Sequence, residues 1–254
     1  MSGAPRALRT RKEPPPLRQV TVIERVELSP RLLRLTLEGE GLRDLLVTEP
    51  AASIRLLVPT PGTDELVIPT WNGNEFLLPD GNRPALRTFT PLRVDNDAGR
   101  LDIEVVRHPG GAVSGWAETV GRGAPAAISG PGSGYEIPDD ADRLLVLGDE
   151  TAIPAVSQLL DAAGDLDVEA HVEVVRGDAQ LDLGVTWHVT EAAAAPGASL
   201  VEVVTALTEL PDGTYVWAAG EAASMQAIRT HLFQTLGVPR GRTAIRGYWK
   251  PPRG

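Results

Sequence analysis

The pattern of apolar residues changes halfway along the chain, and this change limits the possible folds more than any other feature. Before about residue 137, short apolar stretches alternate with turn clusters such as PTPGTDE and DNDAGR. After about residue 142, apolar strands alternate with helix-like segments. Short strands separated by turns are typical of an antiparallel barrel, whereas alternating strands and helices imply a parallel sheet covered by helices. The sequence therefore predicts two domains of different class.

We predict a flexible leader over residues 1–16, an antiparallel Greek-key β-barrel domain over 17–138 and a parallel-sheet α/β domain over 139–254. In the first domain we expect one helix near 112–119 and strands at 19–28, 31–37, 54–58, 86–90, 101–106 and 126–129. In the second domain we expect helices at 153–163 and 222–236, and strands at 144–147, 168–175, 186–190, 200–204, 215–219 and 242–246. Residues 192–198 (AAAAPGA) are predicted to be a loop. Residues 70–82 are predicted to be an insertion that either shapes a pocket or forms a mobile loop.

The composition excludes several kinds of chemistry. The chain has no cysteine and four histidines, none of which are paired at a metal-ligand spacing. Disulfides, iron–sulfur clusters and thiolate metal sites are therefore excluded, and we predict no bound metal. Any redox chemistry would need an organic cofactor.

The charge and the apolar pattern bear on partners and location. The formal net charge is -10, which disfavours nucleic acid as a partner. No apolar run approaches the roughly 20 residues of a membrane helix, and the N-terminus lacks the pattern of a signal peptide. We therefore predict a cytoplasmic protein without a membrane partner, with a monomer as one expectation for its oligomeric state.

Two stretches of the first half carry groups that can bind a cofactor. In RTFT (87–90), Arg87 can pair with a diphosphate and Phe89 can stack on a flat ring. In HPGGAVSGW (108–116), a glycine-rich bend opens a short helix whose free N–H groups can bind phosphate. Each stretch also has a plainer interpretation, as a solvated arginine beside a core phenylalanine and as a turn before a capped helix. The residues alone leave both interpretations open.

The second half contains the outline of a nucleotide-binding unit with an unexpected turn. RLLVLGDETAIPAV (143–156) reads as strand, turn and helix, as in dinucleotide-binding folds. The turn carries Asp149 and Glu150, where a phosphate-binding loop would have glycines and no negative charge. These carboxylates either cap the following helix, which we favour, or repel phosphate from the turn.

Six segments in this order and spacing make the chain similar to a known family. They are RTFTPLR, RHPGGAVSGWAETVGRG, ISGPGSGY, LGDETAIPAV, AAGEAASMQAIRTHL and GYWKPPRG. From about Val20 to its end, the chain resembles the siderophore-interacting proteins, which are flavin-dependent ferric-siderophore reductases of the ferredoxin-reductase-like superfamily. The resemblance implies FAD as cofactor, NADH or NADPH as electron donor and a ferric siderophore as substrate. It also implies that no side chain is a catalytic acid, base or nucleophile, because hydride and electron transfer go through the flavin.

The resemblance further implies which residues bind. The cofactor-binding residues would be Arg87, Thr88, Phe89, Thr90, Arg93, His108, Gly111, Ala112, Val113, Ser114, Asp149, Glu150, Thr151, Ala152, Gly220, Glu221, Tyr248 and Trp249. Lys250 and Arg93 would attract an anionic ferric chelate. The chain departs from the family pattern at three positions, with Phe89 in place of tyrosine, Leu92 in place of arginine and Ala112 in place of proline.

Two other functions are compatible with these departures. One is a flavin reductase that serves another acceptor. The other is a siderophore-binding or scaffold protein with weakened flavin binding. Preference for free flavin over ferric chelates would identify the first, and a colourless protein that ignores added FAD would identify the second.

Overall fold

The computed structural model describes residues 14–251, so most of the predicted leader, 1–16, lies outside the described residues. The N-terminal part contains nine of the described strands and one helix. These elements are β1 (Arg18–Ser29), β2 (Leu32–Glu38), β3 (Ser53–Leu57), β4 (Thr70–Trp71), β5 (Phe76–Leu77), β6 (Leu86–Phe89), β7 (Leu92–Asp95), β8 (Arg100–Val106), α1 (Ala112–Thr119) and β9 (Pro125–Gly132).

Among the described residues, the N-terminal strands form a seven-stranded antiparallel sheet in the order β6-β3-β9-β1-β2-β8-β7. Part of its core comes from alternate residues of its strands, which point to the same face. In β2, for example, Leu33, Leu35 and Leu37 are fully buried, while Arg34 and Thr36 point to the other face. The short strands β4 and β5 form a separate hairpin within residues 70–82, where Trp71 and Phe76 meet edge to face.

In the described C-terminal part, the strands of a second sheet alternate with helices. Its elements are β10 (Arg143–Asp149), α2 (Ile153–Ala163), β11 (Asp167–Val174), β12 (Thr186–Val189), α3 (Ala198–Thr205), β13 (Thr214–Glu221), α4 (Ala222–Thr230) and β14 (Thr243–Trp249).

These described strands form a five-stranded parallel sheet in the order β12-β11-β10-β13-β14. Helix α2 packs on one face through residues such as Val156 and Leu159, and α3 and α4 pack on the other. After β10, the chain adds β11 and β12 on one side of the sheet, and it then adds β13 and β14 on the other side of β10. The switch point therefore lies between β10 and β13, where the carboxyl ends of parallel strands open a crevice.

One predicted strand is wrong. Residues 200–204 belong to helix α3, although their β-branched content favours a strand. Leu200 and Val204 lie one helical turn apart and are both fully buried against the sheet. The buried Glu173 carboxylate also accepts hydrogen bonds from the backbone N–H groups of Gly197 and Ser199 at the start of the helix, at 2.6 and 2.8 Å. Tertiary packing and this external cap override local propensity.

Smaller differences concern element ends. The helix predicted over 222–236 ends as an α-helix at Thr230 and continues as a π-helical turn, His231–Thr235. Strand β7 was not expected. The predicted fold class is confirmed, because an antiparallel β domain is followed by a parallel α/β domain. Within residues 14–251, no helix combines the length and apolar character needed to cross a bilayer.

Candidate functional site

The predicted site residues lie in segments of both sheets, and several of these segments meet at a junction between the two sheets. Three side chains join the halves there. Gln158 of α2 accepts from the Ala51 N–H at 3.0 Å and donates to the Pro91 carbonyl at 2.7 Å. Arg246 of β14 donates to the carbonyls of Ser133 and Gly134, and Arg31 pairs with Glu150. These contacts fix the carboxyl ends of the parallel strands against the first sheet.

Asp149 ends β10 and is held from several sides. One carboxylate oxygen, Oδ1, accepts from the Thr151 N–H at 2.9 Å and from its hydroxyl at 2.5 Å. The other, Oδ2, accepts from the Trp249 indole Nε1–H at 2.7 Å. Burial raises the pKa of Asp149, and the hydrogen bonds from Thr151 and Trp249 oppose that rise. Asp149 therefore caps the 3-10 turn Glu150–Ala152 and not helix α2, whose N-cap residue Ala152 has no side-chain cap, and Asp149 also anchors the C-terminal strand.

Glu150 does something different from the predicted helix capping. Its carboxylate receives Arg31 through Nε at 3.0 and 2.9 Å and through Nη2 at 2.7 Å. It also accepts from the Val175 backbone N–H, just beyond the end of β11, at 2.7 Å. The capping prediction is thus wrong for Glu150, because an arginine from the first sheet and the neighbouring strand end take its oxygens.

Tyr248 brings the C-terminal strand to the RTFT segment. Burial raises the pKa of the Tyr248 phenol, and the charge of Arg246 and the nearby Thr90 side chain oppose that rise. The ring of Tyr248 meets the buried Trp217 edge to face, with centroids 6.4 Å apart. Two segments that lie about 160 positions apart in the sequence, RTFT and GYW, therefore meet at one place.

The rest of the RTFT segment extends from this contact. Arg87 is exposed, and its Nη1 donates to the Leu86 carbonyl at 2.9 Å. Thr88 is also exposed. Phe89 is half-buried and packs against the core of the first sheet, so part of its ring surface already contacts other side chains.

The glycine-rich segment begins helix α1. Gly111 is the N-cap residue and supplies no side-chain cap. Val113 and Ser114 are buried, and the Ser114 hydroxyl accepts from the His108 N–H at 2.9 Å. Ser114 is thus used to shape the bend, while Ala112 lies in the uncapped first turn of the helix.

The remaining predicted residues each contact different partners. Arg93 is 71% exposed and pairs with Asp102 of β8, with Nη2 2.6 Å from Oδ2. Ala152 is fully buried in the core beneath α2. Glu221 caps α4 through the N–H groups of Ala223 and Ser224, and Gly220 adopts φ 159° beside Asp149. Lys250 is exposed at the end of the described chain.

The donor groups of the junction suit an anionic, flat cofactor such as FAD. Helix α1 begins without a side-chain cap, so its first N–H groups are available to a phosphate. One guanidinium nitrogen of Arg87 donates to the preceding carbonyl, and the other N–H groups of the guanidinium can bind an anion. Tyr248 and Phe89 provide aromatic surface on either half of the molecule. The residues present therefore fit the group that the resemblance implies.

One other place fits such a cofactor less well. A cavity of about 810 Å³ lies against β1 and the segment after β2, and its lining includes Glu38, Glu40, Asp64 and Glu65 but none of the predicted site residues. This acidic lining would repel a diphosphate. Among residues 14–251, no group of three or more His, Asp or Glu side chains is arranged to hold a metal ion.

Sequence reasoning missed the residues that join the two halves. Arg31, Gln158 and Arg246 contact partners between 67 and 119 positions away. No local pattern marks them, because an arginine in a turn or a glutamine on a helix is common on protein surfaces.

Comparison with known proteins agrees with this architecture. Residues 21–135 match the family model of the siderophore-interacting FAD-binding domain, and residues 141–252 match that of the siderophore-interacting protein. The siderophore-interacting protein SipS of Aeromonas hydrophila is 31% identical, with a TM-score of 0.78 and 94% of each chain covered. A siderophore utilization protein from T. fusca is 30% identical, with a TM-score of 0.82 and 95% of each chain covered.

A curated relative carries a biochemical name. The NADPH-dependent ferric-chelate reductase of Escherichia coli is 26% identical over 243 residues, which cover 91% of this chain and 92% of the relative. Phthalate dioxygenase reductase, at 14% identity and a TM-score of 0.63, shares the fold over 93% of this chain and 70% of its own. The ferredoxin-reductase-like architecture predicted from the sequence is therefore confirmed.

Proposed function

This chain belongs to the siderophore-interacting protein family, and we propose that it is an FAD-dependent reductase of ferric siderophores. The observation that carries the proposal is a pair of hydrogen bonds at the junction, from Gln158 of α2 to the carbonyl of Pro91, next to Thr90, and from Trp249 to Asp149. They join the strand that would hold a flavin to the C-terminal aromatic residues that would cover one, at the edge where the parallel strands end. Family membership and the ferric-chelate reductase among the relatives support the same chemistry.

Each predicted segment has a separate task in this proposal. Arg87 and the first turn of α1, including Gly111 and Ala112, would bind the diphosphate of FAD through charge and backbone N–H groups. Phe89 and Tyr248 would bracket the flat ring, and the Thr90 hydroxyl would orient its edge. His108 and Ser114 would act indirectly, since they shape the bend before α1.

The chemistry that FAD supplies when bound is acceptance of a hydride from NADH or NADPH and transfer of single electrons to ferric iron. The parallel sheet, which we propose begins near residue 139, would orient the nicotinamide donor. Reduction lowers the charge of the iron from three to two, which weakens its attraction to anionic oxygen ligands and favours release as Fe(II). A cytoplasmic location is part of this proposal.

Lys250 is the cation that we propose for attracting an anionic ferric chelate. It is exposed and adjoins Trp249. Arg93 is the weaker candidate, since its guanidinium already pairs with Asp102. A chelate bound here would lie beside the aromatic residues that cover the flavin.

The flavin site is tested by titrating FAD into apoprotein and measuring the quenching of flavin fluorescence. Arg87→Ala removes a charge-assisted contact worth about 1.5–3 kcal/mol, so the dissociation constant should rise roughly 10- to 160-fold. Arg83→Ala is the matched control, because Arg83 is also exposed and pairs with Glu75 in the hairpin region. Equal FAD affinity of the Arg87 variant and the wild type would contradict the assignment of Arg87.

A further inference from the structure

Glu150 lies where a parallel α/β sheet normally receives a nucleotide. It follows β10 directly, at the carboxyl end of the strand, in the turn that opens α2. In dinucleotide-binding folds, this turn approaches the diphosphate with its backbone. Here the Glu150 carboxylate is buried beneath the junction, with only 8% of its side chain exposed.

The groups that hold Glu150 are those that usually hold a phosphate. Arg31 donates to both carboxylate oxygens through Nε and Nη2, and the Val175 N–H donates to Oε1 at 2.7 Å. A planar guanidinium together with a backbone N–H at a strand end is typical of phosphate recognition. The side chain of Glu150 therefore occupies a set of donors that a ligand phosphate would use.

Asp149, the residue before Glu150, makes the turn still less favourable for a phosphate. Asp149 is a second buried carboxylate, and its oxygens are taken by Thr151 and Trp249. A diphosphate over this turn would meet two carboxylates and find the local donors occupied. At such short distances inside a protein, the repulsion between like charges is strong.

We propose that Glu150 is a specificity-determining residue that fills the phosphate position of the turn. A nicotinamide donor then reaches the flavin without a contact between its diphosphate and residues 149–152. The inference rests on the proposed function, and it replaces a binding role of Glu150 towards the donor with an excluding one. Shortening Glu150 to alanine would leave the Arg31 guanidinium and the Val175 N–H open to an external anion.

The first test measures anion binding without flavin or hydride chemistry. Inorganic pyrophosphate is titrated calorimetrically, at millimolar concentration, into wild-type protein and into Glu150→Ala. We expect Glu150→Ala to bind pyrophosphate at one site more than the wild type, because both proteins keep the groups proposed for the FAD diphosphate. The double variant Arg31→Gln/Glu150→Ala should lose this additional site. Glu104→Ala is the matched control, because Glu104 is similarly buried and is paired with Arg34 on the first sheet. Equal pyrophosphate binding by the wild type and by a folded Glu150→Ala protein would overturn the proposal.

The second test needs no variant and so does not depend on the variant folding. Flavin reduction by NADH is compared with reduction by dihydronicotinamide mononucleotide, which lacks the diphosphate link and the adenosine. We expect kcat/KM values within about threefold of each other, because the diphosphate makes no contact at the turn. A preference for NADH above roughly 100-fold would overturn the proposal. Absence of flavin reduction by either donor and also by NADPH would refute the proposed function instead, and the pyrophosphate titration would still decide the role of Glu150.

Discussion

Trp249→Phe should destabilise the protein, because it removes the indole N–H that donates a hydrogen bond to Asp149. The donor and acceptor atoms are 2.7 Å apart, and the Asp149 side chain is buried. Hydrogen bonds to charged groups contribute about 1.5–3 kcal/mol, so the free energy of unfolding should fall by this amount. For a chain of this size, the loss corresponds to a decrease of roughly 3–12 °C in the melting temperature.

The effect of Trp249→Phe should also depend on pH. Burial raises the folded-state pKa of Asp149 above its ordinary value of 3.8, and the Trp249 hydrogen bond lowers it. A raised pKa of an acid contributes stability that is present below the ordinary value and is lost as pH rises through the folded-state pKa. Removing the indole raises that pKa further, so the variant should lose more stability near neutral pH than near pH 4.

Thermal unfolding of the apoprotein at these two pH values measures both effects. Trp71→Phe is the control, because Trp71 lies in the β4–β5 hairpin and contacts Phe76 through its ring. That substitution should change stability by less than about 0.5 kcal/mol. A Trp249 variant as stable as the wild type, or equally destabilised at both pH values, would refute the argued role of the hydrogen bond.

Three further predictions concern other parts of the second domain and helix α1. Gly220→Ala should cost about 1–3 kcal/mol in thermal unfolding, since φ is 159° there and the added Cβ would lie 2.7 Å from Asp149 Oδ2. Gly115→Ala, in α1 with open space around it, should instead stabilise by roughly 0.5–1 kcal/mol, and loss of stability in that variant would contradict the comparison. Burial and the charge of His171 lower the pKa of His188 below 6.5, so its contribution to stability is present above that value and is lost as pH falls. His188→Gln should therefore flatten the decline in melting temperature between about pH 7 and pH 5, and an unchanged slope would contradict this.

The sequence was sufficient for the elements whose periodicity is strong. The helices at Ala112–Thr119 and Ile153–Ala163 have the predicted bounds, because apolar spacing, a preceding glycine bend and Pro154 mark them locally. Helix α3 was missed, because the residues that decide its conformation are not local. Glu173 caps it from a neighbouring strand, and only the folded sheet brings that carboxylate to Gly197.

The candidate site was predictable in its segments and unpredictable in its contacts. Motif order identified RTFT, the glycine-rich bend, the GDETA turn and the GYW end. Glu150 meets Arg31 across 119 positions and Asp149 meets Trp249 across 100, and neither pairing leaves a periodic signal in the sequence. The domain boundary near residue 138 and the individual cofactor contacts stay predictions.

Stopped-flow absorbance of the holoprotein tests whether the protein reduces ferric siderophores through bound FAD. FAD is titrated in until the flavin band saturates, and NADH or NADPH is then added without oxygen. The reduced protein is mixed with a ferric siderophore and, separately, with an equal concentration of free FAD. The account predicts bleaching of the bound-flavin band by the nicotinamide and faster reoxidation by the ferric siderophore than by free FAD. Protein that binds no FAD, or reduced protein that the ferric siderophore leaves unoxidised, would contradict it.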